Sequence, residues 1–237
     1  MPLWLSGRLF SPMNIIILKE EELKNSKRFV HINEVLKKQN GDSLKAGILN
    51  GMLGTAYVEE IGSDSISLHF TPEGKPPQAP ELSLALVLPR PKVLRRVLYT
   101  ATCLGIKKIH IFNSWRVEKS YWASPLLEEL SEHLTPALEQ AKDTVMPEIT
   151  FHRFFTPFVR EILPEVGKDT LKLAAHPTGN SLDEKPTQAV TLVIGAEGGF
   201  IDKELQSLEE AGFSFFSVGE RILNVESAVP FILGKLI

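Results

Sequence analysis

The sequence lacks the features that would direct it out of the cytoplasm or into a membrane. Its single cysteine, Cys103, has no second cysteine to pair with, so no internal disulfide can form and a reducing cytoplasm is the compartment we expect. The longest apolar runs, such as residues 82–88, are far too short to cross a bilayer, so no membrane association is predicted. Residues 1–12 have no long apolar segment and no cleavage site for a secretory signal, and Met13 is a candidate natural start.

An excess of positive charge is also missing. The net charge of −3 excludes a protein that coats nucleic acid by bulk electrostatics, so any RNA contact must come from a local patch. The candidate RNA-binding residues all fall within one short part of the chain: Lys92, Arg95, Arg96, Arg116 and Lys119. A solvated helix face is the alternative interpretation. The six histidines are scattered and show no zinc-binding spacing with the cysteine, so no metal site is predicted.

The N-terminal part of the chain has the pattern of a small β domain. Short alternating segments at residues 14–18, 43–49, 55–61 and 65–70 are separated by turn residues such as Gly41-Asp42 and Asn50-Gly51. We therefore predict an all-β barrel over residues 13–75. The proline-rich stretch 72–81 is typical of a stiff linker, and the domain boundary is expected near Pro80.

From residue 81 onward the pattern becomes that of an α/β domain. An apolar strand at 82–88, a helix at 93–104 ended by Gly105, and a strand at 108–112 predict a βαβ unit with a parallel sheet. Further strands are predicted at 148–152, 171–175, 191–194 and 215–218, and further helices at 125–142, 158–163, 203–211 and 225–236. The second domain is therefore predicted over residues 81–237.

The most informative segment is a glycine-rich loop that follows the strand at 191–194. Gly195-Ala196-Glu197-Gly198-Gly199 predicts a sharp turn with an open backbone, because glycine reaches positive φ at little cost. The loop fits neither the dinucleotide fingerprint nor the phosphate loop. Glu197 would repel a pyrophosphate but would tolerate a sulfonium or a neutral adenosine. A tight strand-to-helix turn with no ligand is the alternative.

A second loop of the same kind lies before the last helix. Gly219 follows the strand at 215–218, and the final helix starts near Asn224, so backbone groups of the loop could hold an adenine while Ile222 and Leu223 pack against it. His176 follows the strand at 171–175 and is interpreted as part of the cofactor wall rather than as a catalytic imidazole. Three phenylalanines at 154, 155 and 158 could stack bases, but core packing is the favoured interpretation.

Several motifs resemble one methyltransferase family. IGAEGGF (194–200), VGERIL (218–223) and ESA (226–228) are similar to the signature of the RsmE-type 16S ribosomal RNA methyltransferases. LPRPKVLRRVLYTATCLGIKKIHI and LEQAKDTVMPEI resemble the same family's central segments, and VLKKQNGDSL resembles part of its RNA-binding barrel. The resemblance covers residues 13–237. It implies a PUA-like barrel followed by a SPOUT domain with a trefoil knot.

The resemblance also implies a function and its residues. We expect a homodimer that transfers methyl from S-adenosyl-L-methionine (SAM) to N3 of a uridine in 16S ribosomal RNA of the small subunit. Arg221 is the candidate for steadying the uridinate, although a salt bridge to Glu197 or Glu226 is its alternative role, and either of these carboxylates could accept the proton. Arg221 and Glu226 are the predicted catalytic residues. The predicted cofactor-binding residues are Ala175, His176, Pro177, Ile194, Gly195, Ala196, Glu197, Gly198, Gly199, Val218, Gly219, Ile222, Leu223, Asn224 and Ala228.

Five positions depart from the family pattern, and they keep other functions open. They are Ala196, Cys103, Asp143, Asn224 and Ser227. Asp143 and Asn224 replace arginines, which could have touched RNA phosphate or the target base. A SPOUT-like RNA-binding protein without methyl transfer, a methyltransferase with a different RNA substrate, and an unrelated nucleotide-using α/β enzyme therefore remain as alternatives.

Overall fold

The computed structural model describes residues 14–20, 23, 32, 36–63, 65–182 and 184–237. The chain divides into two compact units, one of residues 1–76 together with 138–144 and one of residues 77–137 together with 145–237. The segment 138–144 thus groups with the N-terminal strands, although its place in the sequence assigns it to the second predicted domain. No helix in the described ranges is long and apolar enough to cross a membrane.

The N-terminal unit contains a four-stranded sheet. Its order is β1 (Ile16–Leu18), β2 (Ser43–Ile48), β3 (Leu53–Ile61) and β4 (Ile66–Gly74), with β1 parallel to β2 and the other pairs antiparallel. Alternate residues of β2 to β4 face a small core that includes Leu44, Ala46, Ala56, Val58 and Leu68. Among the described residues the sheet is open, since no β1–β4 pairing is present. The closed barrel therefore stays a prediction.

The segment 138–144 is held to these strands by hydrogen bonds. Ile17 N donates to Glu139 Oε1 at 3.1 Å, and Thr144 Oγ1 donates to Gly51 O at 2.6 Å. Asp143 is only 4% exposed. The aspartate at position 143 is therefore part of the interior of this chain and does not form an RNA-facing surface.

The C-terminal unit is an α/β domain with a six-stranded, fully parallel sheet, as predicted. The strand order is β10-β8-β9-β5-β6-β7. In chain order the strands are β5 (Leu82–Val87), β6 (Lys108–Phe112), β7 (Glu148–His152), β8 (Leu171–Ser181), β9 (Val190–Ile194) and β10 (Ser214–Ser217). The helices are α1 (Pro91–Cys103), α2 (Leu130–Ala141), α3 (Phe155–Pro157), α4 (Leu163–Val166), α5 (Asp202–Glu210) and α6 (Val225–Leu236).

Helices cover both faces of this sheet, which explains its continuous apolar strands. In β5, Leu84 and Leu86 belong to a core that includes residues of α1 and α6. The intervening Ala85 and Val87 belong to a second core with Leu208 of α5. Because successive strand residues point to opposite faces, α1 and α6 lie on one side of the sheet and α5 on the other.

Three segments differ from the sequence-based expectation. The helix predicted over 125–142 is broken into a 3₁₀ turn (Pro125–Leu127) and α2, and the one predicted over 158–163 is a longer, irregular stretch with a π-turn (Phe158–Ile162) between α3 and α4. Phe158 is buried as predicted, but Phe154 is 73% exposed, so core packing is wrong for Phe154. The predicted strand at 171–175 continues to Ser181 through a bulge.

Candidate active site

Three chain segments at the carboxyl ends of the parallel strands surround a cavity of about 660 Å³, here named the loop cavity. They are the glycine-rich loop after β9, the loop between β10 and α6, and the bulge of β8. All fifteen residues predicted to bind the cofactor line this cavity, and so does Arg221. The structure thus brings them together, while their role in holding a cofactor stays a prediction. Lining residues that sequence reasoning missed are Arg116, Phe200, Phe216, Ser217, Val225 and Ile232.

The glycine-rich loop needs its two central glycines for different reasons. Gly199 has φ +64°, a left-handed conformation that favours glycine. Gly198 has no positive φ, but a Cβ atom there would lie 3.0 Å from Cβ and 3.2 Å from Cδ of Arg116. The Arg116 guanidinium also donates to Gly198 O. Position 198 therefore does not need glycine for its φ, but a side chain there would require Arg116 to shift by a few tenths of an ångström.

A buried carboxylate fixes the surroundings of this loop. Glu204 in the first turn of α5 is 4% exposed; its Oε1 accepts from Trp115 N at 2.8 Å, and its Oε2 accepts from Ser114 Oγ at 3.1 Å and Ile201 N at 3.0 Å. These bonds join the loop after β6 to the start of α5. Sequence reasoning noted Glu204 only as part of a helix pattern, since nothing in a single sequence marks a glutamate as buried.

The loop before α6 is shaped by Gly219 and Asn224. Gly219 has φ +129°, which favours glycine. Asn224 is the N-cap of α6, and its Oδ1 accepts from Ser227 N at 2.9 Å. Between them, Ile222 is 78% exposed although it lines the cavity. The asparagine that replaces the family's arginine therefore has a structural task of its own.

The bulge of β8 supplies the third wall. Ala175 pairs with Ile194, the last residue of β9, whereas β10 changes its partner from Ala174 to Asn180 between Phe215 and Phe216. The residues in between, His176 and Pro177 among them, are thus released from pairing with β10. His176 Nδ1 lies 2.8 Å from Thr178 Oγ1, and partial burial lowers the pKa of the imidazole.

The charged residues predicted for catalysis lie in different places in the structure. Glu197 lines the loop cavity and pairs with Arg90 (Oε1 to Nε 3.7 Å), and Arg90 N donates to the same oxygen at 3.3 Å. Glu226 does not line the cavity and pairs with Arg96 at 2.8 Å. Arg221 forms an ion pair with neither carboxylate, so its alternative role as their salt-bridge partner is wrong.

The predicted RNA-binding residues fall into three places. Three of them line a second cavity of about 650 Å³, here named the basic cavity and formed by Lys92, Arg95, Arg96, Tyr99, Thr100, His133 and Pro136 of α1 and α2. Arg116 lies in the loop cavity instead. Lys119 is exposed in a 3₁₀ turn (Lys119–Ala123) and lines neither cavity. The predicted RNA patch is thus divided.

Comparison with known proteins identifies the family. The RNA methyltransferase domain model matches residues 76–237. The ribosomal RNA small subunit methyltransferase E of Treponema pallidum is 31% identical over 91% of this chain and 87% of its own length, and methyltransferase E 1 of Borreliella burgdorferi is 25% identical over 91% and 94%.

Solved structures agree in fold. The methyltransferase E of Neisseria gonorrhoeae, crystallised with S-adenosyl methionine, superposes with a TM-score of 0.73 over 94% of this chain and 95% of that one, at 20% identity. That likeness shows a shared fold, while the Treponema relative and the domain model carry the family assignment. The chain belongs to the RsmE-type family of ribosomal RNA small subunit methyltransferases.

Proposed function

We propose that this protein transfers a methyl group from SAM to N3 of a uridine in 16S ribosomal RNA of the small ribosomal subunit. The observation that carries the proposal is the loop cavity, in which three segments distant in sequence bring all the predicted cofactor residues to one edge of the sheet. Its family relatives are named as methyltransferases of small-subunit ribosomal RNA.

The lining of the loop cavity supplies the kinds of contact that SAM needs. The backbone is accessible at Gly195 and Gly219, and Ile222, Leu223 and Ala228 provide apolar surface for an adenine. Glu197 is the carboxylate in the wall and can face the positive sulfonium, while Arg116 and Arg221 also line the cavity. Bound SAM supplies an electrophilic methyl group on a sulfonium.

The residues of this chain then have to present the uridine. Its N3 must lose a proton and keep its in-plane lone pair aimed at the donor, so positioning dominates the barrier. Arg221 lines the cavity without an ion pair to either nearby glutamate, and its guanidinium can steady the oxygens of the uridinate as charge develops. Both predicted carboxylates pair with an arginine, but Glu197 lines the cavity and Glu226 does not, so Glu197 is the better placed proton acceptor.

An RNA-binding protein without methyl transfer is the second candidate. It depended on the absence of positive charge at positions 143 and 224. Asp143 is buried, and Asn224 caps α6. Position 224 therefore has a structural role as the cap of α6, and methyl transfer to 30S subunits distinguishes the enzyme from the binding protein.

Finer features of the family complete the proposal. The N-terminal strands would form a PUA-like barrel, the C-terminal unit would be a SPOUT domain with a trefoil knot, and two chains would associate through that domain into a homodimer. A substrate in the ribosomal subunit implies work in the cytoplasm. Sedimentation at micromolar concentration in the presence of SAM tests the dimer, and a monomer would refute it.

Two measurements test the reaction. Calorimetry with SAM, NAD and ATP should give binding for SAM alone, and binding of NAD or ATP in its place would favour a different enzyme class. Transfer of labelled methyl from SAM to 30S subunits, followed by nucleoside analysis, should yield N3-methyluridine. A different methylated nucleoside would retain the enzyme class and change the target atom, whereas no transfer despite SAM binding would refute the activity.

A further inference from the structure

The side chain of Trp115 is 80% exposed, which is the largest exposed fraction of any large apolar side chain in the described ranges. Single exposed apolar residues are common on protein surfaces. An indole is different in degree, because it has the largest apolar area of any side chain and is usually covered in part. The location of Trp115 and the hydrogen bonds of its backbone indicate which kind of partner covers the indole.

The backbone that carries this indole is fixed on both sides. Trp115 N donates to the buried Glu204 Oε1 at 2.8 Å, and the preceding Ser114 donates to Oε2 of the same carboxylate. The following Arg116 packs on Gly198 and donates to its carbonyl. The side chain therefore projects from a rigid loop, and little conformational entropy would be lost when a partner covers it.

Trp115 lies at the edge of the sheet that holds the loop cavity. It follows β6 by three residues, and β6 is separated from β9 only by β5. Its neighbour Arg116 lines the loop cavity directly. The indole is thus one residue away from the wall of the cavity that is assigned to the methyl donor.

A second exposed aromatic residue follows the adjacent strand. Phe154 comes two residues after β7 and is 73% exposed. The ends of the two strands are joined, since Asn113 N donates to His152 O at 3.0 Å. Two exposed aromatic rings thus follow neighbouring strands, and each is next to an arginine in the sequence. Aromatic faces combined with positive charge are typical of surfaces that bind single-stranded nucleic acid.

The chemistry of the target gives a reason for such a surface. N3 of uridine lies on the edge that forms base pairs, so the target must leave its helix or stack before it can react. The flanking base then loses a stacking neighbour, and an aromatic face beside the active site can replace it.

We infer that Trp115 is a stacking platform for a nucleobase of the RNA substrate that flanks the methylated uridine. This inference rests on the proposed function for the identity of the RNA. The adjacent Arg116 contributes positive charge that complements phosphate, which favours RNA over an apolar protein surface as the partner.

The test uses the intrinsic fluorescence of the protein and a labelled octauridine strand. Stacking should quench the tryptophan emission of the wild type, and Trp115→Phe should remove most of that quench while anisotropy shows an affinity within a few-fold, because a phenyl ring still stacks. Trp115→Ala should weaken octauridine binding roughly 5- to 100-fold. Phe231→Ala is the matched control, since that ring is exposed on α6 away from the β6 loop, and it should leave the affinity unchanged.

Each contrary result is distinct. An unchanged quench in Trp115→Phe, no quench in the wild type, or an Ala variant that binds octauridine within twofold of wild type overturns the platform. A Trp115→Ala protein that loses dimerisation in sedimentation but keeps its RNA affinity assigns the indole to a second copy of this chain and also overturns it. Quenching that depends on Trp115 without methyl transfer to 30S subunits supports the platform and refutes only the proposed reaction. The SAM-dependent thermal shift should be the same in all variants, which excludes misfolding.

Discussion

The loop cavity and the basic cavity have nearly equal volumes, about 660 and 650 Å³, but they are built in opposite ways. The loop cavity is formed at strand ends by segments from three parts of the sequence, and glycine backbone forms much of its wall. The basic cavity is formed by side chains of α1 and α2, with Lys92, Arg95 and Arg96 on one helix. The first can recognise the shape of one ligand, whereas the second offers mainly charge and suits a repetitive polyanion.

This difference predicts how each cavity responds to substitution. In the loop cavity, a single atom added to the backbone changes the available space, and a single projecting side chain can carry the chemistry. In the basic cavity, the contributions of separate charges should add, and salt should weaken all of them.

Arg221→Ala should give the largest effect. Loss of the guanidinium removes a group that stabilises the transition state, so methyl transfer to 30S subunits should fall by roughly 10²–10³. SAM affinity measured by calorimetry should stay within a few-fold, because we expect backbone groups of the loop, and not this side chain, to hold the cofactor. Arg160→Ala, at an exposed arginine of the π-turn, is the control and should keep full activity. If Arg221→Ala abolishes SAM binding, the arginine supports the cofactor loop; if turnover is intact, the catalytic assignment is wrong.

Gly198→Val should remove the stabilisation of the protein by SAM. The new side chain would collide with Arg116, whose Cβ lies 3.0 Å from the position of the added Cβ. Either the loop or the arginine must therefore move into the space of the cavity. Stabilisation at a SAM concentration 100 times the Kd is about 2.7 kcal/mol in the wild type and should vanish in the variant, as read from the thermal shift. Gly234→Ala on α6, where the added Cβ meets no atom within 4 Å, should retain the shift. A full shift in Gly198→Val would mean that the loop is purely structural.

Much of the fold could be predicted from the sequence because its signals are local. The strands at 108–112 and 148–152 and the helix at 225–236 have the predicted bounds, since apolar runs and helical periodicity are read directly from neighbouring residues. The segment 138–144 could not be assigned to the N-terminal unit from the sequence, because it is held there by hydrogen bonds between residues that are distant in sequence. One example is the bond from Ile17 N to Glu139. The bulge of β8 that contains His176 could not be predicted either, because it depends on the pairing of β8 with β10, which is distant in sequence.

The candidate site shows the same division. Glycines at 195, 198, 199 and 219 reveal the loops, and family motifs assign them a ligand, so the backbone-built cavity is apparent from the sequence. The partner of each charged side chain is not. Glu226 was expected in the catalytic centre but pairs with Arg96, and the hydrogen bond from Arg116 to Gly198 O in the loop cavity was not expected. The sequence shows the sign of each charged side chain but not the partner that the side chain contacts.

Replacing Lys92 and Arg95 together by alanine should weaken RNA binding in a salt-dependent manner. If each side chain meets one phosphate of a single strand, the slope of log affinity against log salt should become less steep by about 0.7 for each contact, or about 1.4 in total. Turnover of the bound complex should change little, because the basic cavity is not lined by any residue of the loop cavity. Lys203→Ala on α5 is the control, since α5 covers the opposite face of the sheet from α1. An unchanged slope in the double variant would assign Lys92 and Arg95 to a solvated helix face.

The ion pair between Arg96 and Glu226 links α1, which lines the basic cavity, to the start of α6 beside the loop cavity, and its loss should have the smallest effect. Arg96 lines the basic cavity, while Glu226 lies in the first turn of α6, directly after the Asn224 cap that ends the second cofactor loop. Exposed pairs of this kind contribute at most about 1 kcal/mol, so Arg96→Met and Glu226→Gln should each lower SAM affinity less than about fivefold. If the pair acts only by positioning α6, the double variant should be no worse than either single one, and kcat should be nearly constant throughout. A loss of transfer by 100-fold or more in Glu226→Gln, with Arg96→Met nearly normal, would instead make Glu226 a proton acceptor and would require α6 to turn its first residues into the loop cavity when RNA is bound.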